Sequence, residues 1–289
     1  MMKQKLLFLA VALMMLTACQ NSNDETRPAE GEGRITFQVI NYQQYSLDDE
    51  DTRAAVTDVE NLDMAIYDAD TKALVKHTHQ NKTDNGYGTF SATLPYGTYK
   101  AVFLGYMGTR QAIVDNIESV CFPDNFVPHL YSKTIDVVID NPETEARNVS
   151  LARRVAAFQL GSSGLNPTTL STLTVEAKGG SHHFNALADK GAQVEDRSYT
   201  YNVSQKAGQD NLSVTIFTFL TAEESTMNFT ATAYDASDGV IRQREFNNVP
   251  MKISQRTQYN GYFFEEDKSV AGFTLSLDDG ELVNTIYTY

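Results

Sequence analysis

The sequence predicts an all-β protein made of two antiparallel β-sandwich domains in tandem, and three observations carry that expectation. From residue 34 onward the hydrophobic signal has period 2, in short runs rich in β-branched and aromatic residues. Gly, Asn, Asp and Pro bound those runs, and no apolar pattern of helical period extends beyond three turns. At 289 residues the chain exceeds the usual size of a single core, so two domains are expected.

Residues 1–18 read as a lipoprotein signal peptide. Lys3 and Lys5 give the basic start and residues 6–16 the apolar run; a permanent bilayer span needs ~20 apolar residues. Leu16-Thr17-Ala18-Cys19 follows. The small Thr17 and Ala18 suit a peptidase that cuts between Ala18 and Cys19. The Cys19 thiol would carry a diacylglycerol and its freed amine an acyl chain such as palmitate. Several acyl chains anchor stably where one binds marginally, which makes the outer membrane a partner through lipid. The competing reading is an ordinary secretory signal in which Cys19 is incidental. Residues 20–25 are polar and end in Asp24-Glu25, which resembles the acidic export tag of surface lipoproteins in Bacteroidota-type bacteria. Residues 19–33 form a flexible tether, too polar to bury a core and interrupted by Pro28, Gly31 and Gly33.

Loss of Lys3 and Lys5 with the signal takes the formal charge from −14 to −16. An acidic chain of this kind lacks the basic footprint of a nucleic-acid binder. With Cys19 lipidated, Cys121 has no partner for an intrachain disulfide and reads as a small hydrophobe beside Phe122.

The first domain is expected over 34–143, with strands at 34–41, 61–67, 88–94, 97–104 and 134–139. In 97–104, Tyr99, Ala101 and Phe103 share the core face, and Thr98, Lys100, Val102 and Leu104 the other. Asn85-Gly86 supplies positive φ ahead of 88–94, and Pro95-Tyr96-Gly97 reads as the turn closing 88–94 onto 97–104. A short helix is expected around 110–114. The acidic, Pro-bearing turn Asp140-Asn141-Pro142-Glu143 is the expected boundary. The second domain, 144–289, carries strands at 148–160, 172–177, 197–203, 211–220, 227–234, 240–246, 258–265 and 272–277. Within 227–234, Met227, Phe229, Ala231 and Ala233 face the core, and Asp238-Gly239 turns the chain into the next strand.

Three segments, in order, resemble a known family. Leu94-Pro95-Tyr96-Gly97-Thr98-Tyr99-Lys100 is similar to the Leu-Pro-small-Gly-x-Tyr hairpin of fimbrillin-type N-terminal domains. Val149-Ser150-Leu151-Ala152-Arg153-Arg154-Val155-Ala156 resembles the strand that opens their second domain, and 246–257 with Gly261-Tyr262-Phe263-Phe264 resembles a segment near their C-terminus. The resemblance to these fimbrial subunit lipoproteins of Bacteroidota, the type V pilus subunits, implies two transthyretin-like β-sandwiches and a stalk, anchor or tip role at the cell surface. It implies other pilus subunits as partners, by strand exchange, and a host receptor or glycan as a further one. It also implies an Arg-specific cut that removes the first strand. Here the polar stretch 47–52 leads to Arg53-Ala54, the candidate scissile bond. The alternative is that Arg53 is a solvated loop residue and 34–41 stays in place, as in an anchor subunit. The run 271–289, with Phe273, Leu275 and Leu277 alternating, is either a donor strand or a self-inserted last strand.

Other clusters are weaker. His77-Thr78-His79 and His182-His183 lack a third ligand at reliable spacing, so polar loop or strand positions are expected and no metal. Asp48-Asp49-Glu50-Asp51 lacks the ligand alternation and turn glycine of a calcium loop. No Gly-x-Ser-x-Gly or His-Glu-x-x-His motif is present, so neither an enzyme nor a cofactor is expected. Arg153-Arg154 reads as cover for a sheet face. The competing function is a surface lipoprotein that binds host or dietary glycan without polymerising. It would need exposed stacking aromatics, and Trp is absent.

Overall fold

The computed structural model describes residues 31–43, 59–265, 274–278 and 285–288. The first half contains β1 (Glu32–Gln43), β2 (Asn61–Asp68), β3 (Leu74–Asn81), β4 (Thr89–Pro95), β5 (Gly97–Tyr106), β6 (Leu130–Ile139) and β7 (Thr144–Arg153). The second half contains β8 (Ala156–Leu165), β9 (Leu170–Gly180), β10 (Phe184–Asn185), β11 (Lys190–Gly191), β12 (Glu195–Asn202), β13 (Asp210–Thr218), β14 (Glu224–Asp235), β15 (Val240–Lys252), β16 (Arg256–Gly261), β17 (Thr274–Asp278) and β18 (Thr285–Thr288). The described residues outside strands are loops and two short 3-10 turns at Pro123–Asn125 and Ser204–Lys206.

The two halves repeat one topology. In the first, one layer runs β3-β2-β5-β6 and the other β7-β1-β4; they touch as a ladder only where Tyr131 and Ser132 meet Arg153 and Ala152. In the second, β12-β9-β14-β15 faces β13-β8-β16, and β17 and β18 extend the latter layer. In each half the opening strand lies parallel to the closing one, β1 beside β7 and β8 beside β16.

Alternation explains the cores. Ile35, Phe37, Met64, Phe90, Tyr99, Ala101, Phe103, Val137 and Val149 meet between the layers of the first half. Phe158, Val175, Met227, Phe229, Ala231, Ala233 and Phe246 meet in the second. A third apolar cluster joins the halves: Ala65, Tyr67, Val102, Leu104 and Tyr106, on the outer face of β2 and β5, pack against the 112–127 loop and against Phe184, Ala186 and Phe219. The face of β5 opposite Tyr99 and Phe103 is thus buried at Val102 and Leu104, because the 112–127 loop and the second half cover it together.

Several sequence expectations are corrected. Residues 148–160 form two strands, β7 and β8, separated by Arg154-Val155. β7 pairs with β1 and buries Val149 and Leu151 in the first core, so the chain crosses between halves after Arg153, and 140–143 is only the β6–β7 turn. Pro95-Tyr96-Gly97 is not a hairpin: β4 pairs with β1, whereas β5 pairs with β2 and β6, so these residues carry the chain from one layer to the other. The Tyr99 hydroxyl braces that crossing by donating to the Pro95 carbonyl at 2.9 Å. Around 110–114 the chain is extended, with Ile113 bridged to Cys121. Strands β3, β10, β11 and β18 were not expected; β3 alternates half-buried and exposed residues too polar to stand out.

Candidate functional site

β1 lies in the middle of its layer. It pairs antiparallel with β4 from Glu32↔Pro95 to Gln38↔Thr89 and parallel with β7 from Arg34↔Thr144 to Gln43↔Ala152, with a bulge between Val39 and Asn41. Alternation sends Ile35 and Phe37 into the core, both 0% exposed, while Ile40 faces outward. The Phe37 ring meets Phe103 edge-on at 4.9 Å. On the outer face the Thr36 and Ser91 hydroxyls are 3.0 Å apart, and Thr89 Oγ1 donates to Gln38 Oε1 at 2.7 Å. Gly33 permits the entry: a Cβ there would stand 2.3 Å from the Asn141 carbonyl oxygen and 2.6 Å from Ile139 Cγ2. Withdrawing β1 would open the edges of both β4 and β7 and empty the Ile35 and Phe37 pockets, which is the requirement for strand replacement.

Beyond Gln43 the chain enters residues 44–58. Arg53, Ala54 and the acidic run 48–51 lie there, outside the described residues, as do Ala18 and Cys19. At the other terminus, β17 pairs antiparallel with β16 from Arg256↔Asp278 to Asn260↔Thr274, and β18 pairs with β17. The described part of 271–289 therefore lies on its own sheet, with β18 at the edge.

Between the halves lies an open groove of about 660 Å³ lined by Phe126, His129, Tyr199, Tyr201 and Phe217 among others. Its rings are already engaged. His129 stacks on Phe217 at 5.4 Å, the Arg197 guanidinium sits 4.7 Å over Tyr199, and the Tyr199 and Tyr201 hydroxyls donate to the Phe217 and Thr215 carbonyls.

The histidines expected on polar surface are tied in. Buried Asp63 receives His77 Nε2 at 2.5 Å, His79 Nδ1 at 3.1 Å and the Tyr106 hydroxyl at 2.6 Å. The hydrogen bond to Asp63 raises the His77 pKa, against the opposing effect of burial. His182 and His183 come within reach of Glu195, a third potential ligand whose position no local spacing revealed. Arg153 lies over the Tyr131 ring and Arg154 pairs with Asp189 at 2.8 Å, so both hold the crossing between halves.

The profile of the Mfa2 family, described as fimbrillin-A associated anchor proteins Mfa1 and Mfa2, matches residues 23–275. The chain belongs to this family. No curated protein is significantly similar to it in sequence. Among solved structures, an adhesin candidate from Bacteroides ovatus matches with a TM-score of 0.52 at 14% identity, covering 89% of this chain and 94% of its own. A second from the same organism gives 0.51 at 14%, covering 81% and 88%. A candidate polysaccharide-binding protein from Bacteroides thetaiotaomicron gives 0.52 at 10%, covering 89% and 98%. At such identities the likeness is one of fold, and the all-β architecture of this member of the anchor family is common to all three.

Proposed function

We propose that this chain is a structural or adhesive subunit of a lipoprotein-derived pilus, held at the outer membrane through Cys19 and joined to other subunits by strand addition. In this reading each half is a transthyretin-like sandwich, and an Arg-specific protease cuts at Arg53-Ala54 to release β1. A neighbouring subunit's strand then takes the vacated place between β4 and β7. The observation that carries the reading is β1 itself, an N-terminal strand with two core side chains and a ladder on each side that leads directly into the segment bearing Arg53. Membership of the anchor family supports a cell-surface fimbrial location.

The glycan-binding alternative is less well supported. Among the aromatic residues whose burial the structure describes, Tyr96 alone is exposed, and the groove rings are engaged by their own neighbours.

The test uses the mature chain with Cys19→Ser, which should leave the membrane fraction. Arg-specific protease should nick it after Arg53 and yield oligomers that grow with protein concentration, while Arg53→Ala stays monomeric. Equal oligomerisation by Arg53→Ala would refute cleavage as the switch. A fold that survives protease uncut would assign the chain to a terminal anchor that keeps β1.

A further inference from the structure

His182 and His183 lie in the turn between Ser181, bridged to Phe219, and β10. Glu195 opens β12 and pairs across to Gly180, which brings its carboxylate over that turn. Glu195 Oε2 is 2.9 Å from His182 Nδ1 and 3.2 Å from His183 Nδ1, and the three side chains are 12%, 23% and 18% exposed, taking His182, His183 and Glu195 in turn. His182 Nδ1 has essentially no solvent contact and no aligned hydrogen bond despite that short separation. A nitrogen buried beside a carboxylate oxygen but not aimed at it is poorly served by a proton, and a cation placed between the two satisfies both.

We propose that His182, His183 and Glu195 form a zinc site that clamps the junction between the two halves. With zinc–ligand bonds of ~2.0–2.1 Å, tetrahedral ligand atoms stand roughly 3.3 Å apart, close to the 2.9 and 3.2 Å separations here. Two imidazoles and one carboxylate are a zinc ligand set, with the fourth position left to water; magnesium and calcium call for oxygen ligands. The other carboxylate oxygen, Oε1, accepts from Gln193 Nε2 at 2.8 Å, which orients the Glu195 side chain. Arg197, two residues along β12, is engaged with the Asp124 carbonyl and the Tyr199 ring.

The location gives the ion its role. Phe184 and Ala186, just past the histidines, fill the apolar cluster shared by the halves, and Phe184 exchanges both backbone hydrogen bonds with Val120, at 2.8 and 2.7 Å. Zinc between 182–183 and Glu195 would fasten this strap to β12 and so fix one half against the other.

The test is calorimetric titration of zinc chloride into the EDTA-treated mature chain carrying Cys19→Ser and no histidine tag, with thermal melts alongside. The expected result is one zinc per chain and a melting temperature raised by roughly 5–10 °C at hundredfold excess over Kd. Glu195→Gln and His183→Asn should each weaken binding at least tenfold, with the metal-free melt little changed, and His77→Gln should bind as the wild type does. Absence of zinc binding, or binding unaltered in both Glu195→Gln and His183→Asn, overturns the proposal. If one variant fails to fold, the other decides.

Discussion

Phe37→Ala is the sharpest probe of β1. The ring is wholly buried and meets Phe103 edge-on at 4.9 Å, so truncation removes its transfer free energy, leaves a cavity and loses an aromatic pair. Buried Phe→Ala changes cost about 3–5 kcal/mol. For a chain of this size that lowers Tm by roughly 6–20 °C. Ile40, 56% exposed at the outer end of the same strand, is the control; its change to Ala should cost under ~0.5 kcal/mol. Urea unfolding of the soluble Cys19→Ser chain measures both. Because a one-residue slip would exchange the two faces of β1, similar losses for Phe37→Ala and Ile40→Ala, or a loss below ~1 kcal/mol for Phe37→Ala, would refute this register and with it β1 as the strand whose removal opens the core.

Three further outcomes follow from the geometry. Gly33→Ala should cost about 1–3 kcal/mol, since a Cβ 2.3 Å from a backbone oxygen cannot be relieved by turning a side chain; equilibrium unfolding reads it. Phe184→Ala should destabilise by about 3–5 kcal/mol and expose the junction between halves, seen as faster hydrogen exchange across the 112–122 loop. His77 has its folded pKa raised above 6.5, chiefly by the hydrogen bond to Asp63, so its contribution is full below about pH 6.5 and is lost as pH rises through the folded value. The difference in unfolding free energy between wild type and His77→Gln should therefore be larger at about pH 5.5 than at about pH 8.5; a difference that grows with pH would contradict the assignment.

Much of the strand content was legible because it rests on local alternation. Ile35 and Phe37, Tyr99 through Phe103, and Met227 through Ala233 all lie on the faces that their spacing indicates. Positive φ at Gly86 and the turn at Asp238-Gly239 were legible for the same reason, since a turn's backbone demand is met by the residues themselves.

What needed the tertiary structure is which strand meets which. Pro95-Tyr96-Gly97 has the composition of a hairpin, yet β1 from far upstream takes the partner position on β4, and short turns connect layers as readily as neighbours. The apolar run 148–160 carries no mark of its break, because Val149 and Phe158 are equally apolar while belonging to different cores. Val102 and Leu104 could be recognised as buried only once the 112–127 loop and Phe184 and Phe219 of the second half were seen to share one apolar cluster with them. The meeting of His182 and His183 with Glu195 follows from the pairing of β12 with β9 across an intervening loop. Alternation is set by neighbours in the chain and can be read from it; partnership between strands is set by the competition of all edges and faces at once, and only the folded chain decides it.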